Sequence, residues 1–167
     1  TETNLVGVER LELDGTVVAI DASVLQTYMS GDLQQIIGKP DTSEVIITGA
    51  PAGGALDLSQ ISLDDLKSIT VETSMKLILT DQQIAQVGSL DAAEGETLTV
   101  QTDVAGFVAL GDKALNAEII VRDTAENIEA AGGALDGVTV ISSEAFTVEE
   151  ALRVLEVSNT AQFVLSD

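Results

Sequence analysis

Four acids in the second half of the chain, Asp81, Asp103, Asp123 and Glu144, recur at intervals of 22, 20 and 21 residues (103 − 81, 123 − 103, 144 − 123), and Asp167 follows after another 23. Each closes a run of β-type residues: Leu77-Ile78-Leu79-Thr80-Asp81, Leu98-Thr99-Val100-Gln101-Thr102-Asp103, Ile119-Ile120-Val121-Arg122-Asp123, Val138-Thr139-Val140-Ile141-Ser142-Ser143-Glu144 and Phe163-Val164-Leu165-Ser166-Asp167. If these runs stack as neighbouring strands, equivalent positions lie about 4.8 Å apart. A column of carboxylates at that spacing is a candidate Ca²⁺ ladder, because Ca²⁺ takes hard oxygen ligands. The competing role is helix N-capping. Each acid stands after a strand and before a helical or turn segment, where free backbone N–H groups and the helix dipole favour a carboxylate. Capping explains each acid locally and without an ion, so it is the preferred reading.

Asp64-Asp65, Asp91 with Glu94 and Glu96, and Glu149-Glu150 are the other acidic groups that metal binding or general acid-base chemistry would use. None is paired in sequence with a basic residue, and a solvated acidic surface accounts for them. Lys39, Lys67, Lys76 and Lys113 stand isolated. The chain has no His and no Cys. That excludes imidazole and thiolate metal sites, disulfides, and Ser-His or Cys-His nucleophiles. No glycine-rich phosphate motif is present. Tyr28, Phe107, Phe146 and Phe163 are too few for a sugar-stacking platform and read as core or end-cap residues.

The elements that must carry these residues follow from periodicity. Val8 to Leu13 alternates apolar and polar, a half-buried strand ending in the Asp14-Gly15 turn. Thr16 to Ile20 is a second strand. Asp21 caps a helix with Val24, Leu25, Tyr28 and Met29 on one face, and Asp32 to Ile37 adds a turn of helix before Gly38-Lys39-Pro40 breaks it. Glu44 to Thr48 is a strand, Leu56 to Ile61 a short strand or turn, and Ser68 to Glu72 another strand. From Met75 onward a regular array sets in. Helices are expected from Asp81 to Val87, from Asp123 with Glu126 in a capping-box position, and from Thr147 to Leu155 with Val148, Leu152 and Leu155 sharing a face.

A near-constant period of this size is the signature of stacked repeats. The composition agrees: 45% of residues are hydrophobic but only 2% aromatic, so the core must be built from aliphatic layers. The net charge of −21, from 28 acids against 7 bases, excludes nucleic acid as a partner and disfavours anionic membranes. The acids are dispersed through apolar sequence, which separates the chain from disordered acidic tails. No apolar run approaches the ~18 residues of a membrane span, so no membrane insertion is expected. A chain that begins at Thr1 without methionine reads as processed or as a piece of something longer.

Several segments have a family look. Asn4-Leu5-Val6-Gly7-Val8-Glu9-Arg10-Leu11-Glu12-Leu13-Asp14-Gly15 resembles an N-L-x-G-I-E-x-L-x-L-x-G coil of giant bacterial secreted proteins. Leu79-Thr80-Asp81-Gln82-Gln83-Ile84 resembles their L-T-x-x-Q coils, and Val121 to Ile128 their V-x-D-T-A-x-N-I coils. Thr147 to Leu155 with Phe163 to Asp167 resembles a T-V-x-x-A-L-x-L-L … L-S-D coil. Such coils belong to large RTX-type (repeats-in-toxin) adhesins and surface-layer-like proteins. The resemblance covers most of the chain in short degenerate pieces and implies a secreted or cell-surface structural module. The glycine-aspartate calcium nonapeptides of that family are missing; Gly53-Gly54-Ala55-Leu56-Asp57 and Gly132-Gly133-Ala134-Leu135-Asp136 are faint echoes.

The expectation is therefore an α/β fold: a single repetitive right-handed strand-helix (parallel β) solenoid over residues 1–167, with coils of ~20–23 residues. Residues 1–74 would form less regular, all-β-like coils, and 75–167 the regular repeats. The expected role is a non-enzymatic, extracellular structural or adhesive module that self-associates head to tail into a fibre or layer, or continues into neighbouring repeats. Its assembly edges would be Val8, Leu11 and Leu13 at one end and Phe163, Val164 and Leu165 at the other, where unpaired strand edges invite pairing. No cofactor is required, with Ca²⁺ as the one candidate. The alternatives are an extracellular calcium- or polysaccharide-binding module and, below that, an acidic carbohydrate-active enzyme of β-helix type.

Overall fold

The computed structural model describes residues 7–114, 116–144 and 147–157. Its strands are short and aliphatic. β1 (Arg10–Glu12), β2 (Val17–Asp21), β3 (Gln35–Ile37), β4 (Glu44–Thr48), β5 (Ala55–Asp57), β6 (Ser62–Asp64) and β7 (Leu66–Val71) make up most of the first half, with one helix, α1 (Ala22–Met29). β8 (Met75–Ile78), α2 (Asp81–Gln86), β9 (Val87–Ala92), β10 (Leu98–Thr102), α3 (Val104–Leu110), β11 (Glu118–Asp123), α4 (Ala125–Ala131), β12 (Thr139–Ser142) and α5 (Val148–Val157) follow. Alternation decides which side of each strand faces inward: in β4, Val45 and Ile47 are buried while Glu44, Ile46 and Thr48 are half-buried. Glycines at positive φ, Gly111 (47°) and Gly132 (55°), end α3 and α4 where a side chain would be strained.

The fold is mixed α/β with every strand pairing parallel. The strands form three separate small sheets, not the single parallel face expected from the repeats. Their orders are β1-β3-β6, β2-β4-β7-β9 and β12-β11-β10-β8-β5. In every sheet a strand pairs with the one laid down a circuit earlier. Arg10 pairs with Gln35, Gln35 with Ser62, Val17 with Glu44 and Ala55 with Lys76. The circuit shortens along the chain, from 27 residues between Gln35 and Ser62 (62 − 35) to 19 between Ile120 and Thr139 (139 − 120). The spread is wider than the expected 20–23.

Helices take over where the first sheet stops. α2 packs on β6 and on α3, α4 packs on α5, and α1 packs on β5. The corner from β6 to β7 turns at Asp65, which has φ 54°, the one positive-φ residue other than glycine among those described. Leucine, isoleucine and valine layers fill the interior; Ile47, Leu56, Val71, Leu77, Ile84, Val100 and Val121 are all fully buried. Each such side chain contributes roughly 1.5–3 kcal/mol by leaving water. A second apolar cluster of Val121, Ile128, Leu135, Val140, Ala151 and Val154 lies under α4 and α5. Tyr28 and Phe107 pack at the margins of the two clusters, so these two aromatics contribute to the core.

Three local expectations are corrected. Asp32 to Ile37 does not extend the first helix, because Gln35 to Ile37 pairs with β1 as a strand. The helix expected to start at Asp123 begins at Ala125 and is capped by Thr124. On α5 the buried residues are Ala151 and Val154, while Val148, Leu152 and Leu155 are exposed. The expected last strand, Gln162 to Asp167, and Phe146 lie outside the described residues.

Candidate functional site

The repeated acids do not form a column. Paired positions in β8-β10, β10-β11 and β11-β12 are 23, 19 and 19 residues apart (101 − 78, 121 − 102, 142 − 123), whereas the acids are 22, 20 and 21 apart. Each acid is therefore out of register with the next, and Asp123 stands opposite Ser142, not Glu144. A slip of one residue turns side chains to opposite faces of a strand.

Their individual roles differ as well. Asp103 is an N-cap, accepting from the Gly106 N–H at 2.7 Å. Asp81 sits one residue past the cap. That position belongs to Thr80, which forms a capping box with Gln83. Asp123 ends β11 and joins three elements: Oδ1 accepts from the Thr124 N–H and from Asn127 Nδ2, both at 2.7 Å, and Oδ2 accepts from the Val104 N–H at 3.1 Å. Glu144 is exposed beyond β12. Asp103 and Asp123 line one shallow recess with Val104 and Asn127, and the N–H bonds just described already occupy oxygens of both carboxylates. Among the described residues no three acids group closely enough to hold a metal ion.

The acidic pairs disperse into local bonds. Asp64 accepts from Gln35 Nε2 at 2.7 Å, and Asp91 from Ser89 Oγ at 2.8 Å. Glu96 accepts from the Ser74 hydroxyl and N–H, and these hold its carboxyl below the usual range. Glu150 is likewise held low by the Thr147 N–H and hydroxyl at the start of α5. Lys39 pairs with Asp14 and Lys67 with Glu44. Lys113 donates to the Ile84 and Ala85 carbonyls at the end of α2, the terminus a cation favours.

What the structure does bring together is apolar surface at two places far apart in the chain. β1, β2 and α1 border an open cavity of about 370 Å³ lined by Val8, Leu11, Val18, Ile20, Val24 and Leu25. Val8 and Leu11 are half-buried at this opening, while Leu13 is fully buried and offers no edge. Val17 and Val24 stand exposed beside it. At the other place, α5 carries Val148, Leu152 and Leu155, which are 69%, 59% and 44% exposed. β12 is the last strand of its sheet there. Phe163, Val164 and Leu165 lie outside the described residues.

No family model, curated protein or solved structure matches the chain. The site must be judged on its own geometry.

A third surface escaped the sequence reading. Gln34, Gln60, Gln82 and Gln86 line an open groove of about 830 Å³ between β3, β6 and α2, with Ser59, Ser62 and Thr80 beside them. Asp64 is the single charged residue on its wall. The signal for it was in the sequence: glutamines return about once per circuit, at 34–35, 60 and 82–86. The wide apolar arc of α5 was also legible, but its width does not tell which half of it meets the core.

Proposed function

We propose that this chain is a right-handed strand-helix solenoid serving as a non-catalytic structural module of a secreted or cell-surface assembly. Its first and last circuits would continue the stack of a neighbour. The parallel pairing of each strand with its predecessor supports the coil. So does the return of every strand at intervals of 19 to 27 residues. A right-handed crossover between parallel strands is the strongly favoured hand.

One observation carries the functional reading. Among the described residues six large apolar side chains are exposed, and five of them sit at the two ends of the stack: Val17 and Val24 by β1–β2–α1, and Val148, Leu152 and Leu155 on α5. The sixth, Val108, lies on α3. Stacked repeats bury apolar surface only between neighbours, so uncapped ends are where such surface collects. The extracellular setting is supported by the acidic, cysteine-free composition and by the resemblance to coils of secreted surface proteins. No helix among the described residues is long and apolar enough to cross a membrane. Small-angle scattering of dilute protein tests the coil: a rod-like particle is expected, and an isotropic globule overturns it.

The glutamine groove favours a second reading, a module that binds a neutral polysaccharide. Amides and hydroxyls both donate and accept, as sugar hydroxyls do, and the groove is nearly uncharged in a protein of net charge −21. Calorimetric titration with neutral hexasaccharides should then give saturable heat that Gln60→Ala abolishes. Flat titrations across glucan, mannan and galactan oligomers remove this reading.

A further inference from the structure

We infer that α5 of one copy docks its exposed ridge, Val148, Leu152 and Leu155, into the apolar cavity between β1, β2 and α1 of a second copy. The inference rests on the solenoid reading and specifies the joint.

The ridge is unfinished packing. At 100° per residue the apolar positions of α5 span an arc of about 160°. Only its Ala151 and Val154 side is buried, with Val154 completely enclosed, and the remaining half of the arc faces outward. Exposed leucines on an otherwise charged helix, beside Glu149, Glu150, Arg153 and Glu156, point to a contact made outside the described residues.

The receiving surface is complementary in shape and chemistry. A cavity of 150 Å³ takes a benzene ring, so about 370 Å³ holds two or three aliphatic side chains. Its walls are aliphatic, with Asp21 and the Tyr28 ring the exceptions. Helix-on-strand packing of the kind the joint requires already occurs twice within the chain, α2 on β6 and α1 on β5. One end offers a ridge and the other a hollow, so the pairing is heterologous. Repeated, it does not close on itself but extends in one direction. A ridge-to-ridge dimer would leave the hollow empty.

Electrostatics oppose the contact and give it a handle. The ridge helix carries three glutamates, and Glu9 and Glu12 flank the hollow, in a chain of net charge −21. Like charges at close range repel, and the screening length falls from about 10 Å at 0.1 M salt to 3 Å at 1 M. Association therefore strengthens as salt rises, opposite to an interface held by complementary charge.

Sedimentation velocity in 0.05 M and 0.5 M NaCl over a range of concentrations tests the pairing. The full chain should form a ladder of oligomers that lengthens with concentration and salt. Leu152→Asp and Val24→Asp should each lower the apparent association constant about tenfold or more, since an unpaired carboxylate would have to be buried. An equimolar mixture of the two should form dimers and nothing longer, because each variant keeps one intact end. If Leu152→Asp loses its circular dichroism, Val148→Asp, at the most exposed ridge position, replaces it. The inference is overturned if Val24→Asp dimerises by itself, which would mean ridge-to-ridge contact. It is equally overturned if the unaltered chain stays monomeric at both salt concentrations, which would mean that residues 1–6 or 158–167 of the same chain cover these surfaces. A monomer that is nevertheless rod-shaped leaves the coil standing and removes only the joint.

Discussion

The side-chain amide of Gln83 donates to the backbone carbonyl of Ile61 at 2.5 Å, across the step where the first sheet ends and helices take its place. The same nitrogen donates to the Leu58 carbonyl, while Oε1 accepts from the Thr80 N–H at 2.8 Å. Gln83 is 4% exposed, so a deletion there leaves acceptors in a dry place. Leu58 keeps a bond from the Ile61 N–H, but the Ile61 carbonyl depends on the amide. An orphaned buried acceptor costs about 1–3 kcal/mol, and loss of a capping-box partner adds to it. Gln83→Leu should therefore destabilise by roughly 2–4 kcal/mol in urea unfolding. A loss below about 0.5 kcal/mol would mean that the amide is not what holds α2 to the strand beneath it.

A second relationship couples β10 to α3. A Cβ added at Gly106 would overlap the Thr102 hydroxyl, which is buried and is the one side-chain polar atom found without a partner among the described residues. Gly106→Ala should cost roughly 1–3 kcal/mol through overpacking. Removing the hydroxyl and its methyl with Thr102→Ala vacates that space. In this background Gly106→Ala should become neutral or stabilising, since alanine is favoured over glycine in a helix by about 1 kcal/mol. A double-mutant cycle in guanidinium measures the coupling. Additive effects would show that the two residues do not share the space.

Much of the local structure was legible because it follows from neighbours in sequence. Asp21, Asp103 and Thr147 announced helix starts, and the alternation in Glu44 to Thr48 announced a strand. What was not legible depends on contacts a circuit away. Gln34-Gln35-Ile36-Ile37 has no strand signature of its own and becomes β3 only through pairing with β1 and β6. The acids looked like a column because their spacing is nearly constant. Loops of unequal length set the true register at 23, then 19 (101 − 78, 121 − 102), and a one-residue mismatch is enough to break a ligand set. The exposed half of the α5 arc is a question about what lies beyond the last circuit, and periodicity alone does not answer it.

The carboxylate of Asp123 lends itself to a metal-removal experiment. Its oxygens accept from the N–H groups of Val104 and Thr124 and from the Asn127 amide, which ties β11 to two helix starts. Asp123→Ala should destabilise by about 1–3 kcal/mol through the loss of charge-assisted bonds. The same loss is expected in 1 mM EDTA and in 5 mM CaCl₂, with wild-type melting unchanged between the two buffers. A calcium-dependent rise in wild-type melting temperature that Asp123→Ala abolishes would restore the ladder of metal ligands.

The last prediction concerns acid. Asp21 caps α1, accepting from the Ser23 hydroxyl at 2.5 Å, the Ser23 N–H at 2.9 Å and the Val24 N–H at 3.3 Å. The Ser23 hydroxyl, and after it the backbone bonds, hold this carboxyl below its ordinary value. A depressed folded pKa contributes stability that is fully present above the unfolded value, near 3.9, and is lost as pH falls through the folded one. The urea midpoint of Asp21→Ala should thus lie below that of the unaltered chain at pH 7. The gap should close as pH drops below the carboxylate range. Taking the difference between two proteins of nearly equal charge removes the general relief of repulsion that acid brings to so acidic a chain. α1 also walls the apolar cavity, so the same substitution should loosen the hollow that receives α5. A pH-independent gap would show that Asp21 stabilises α1 through packing and not through its charge.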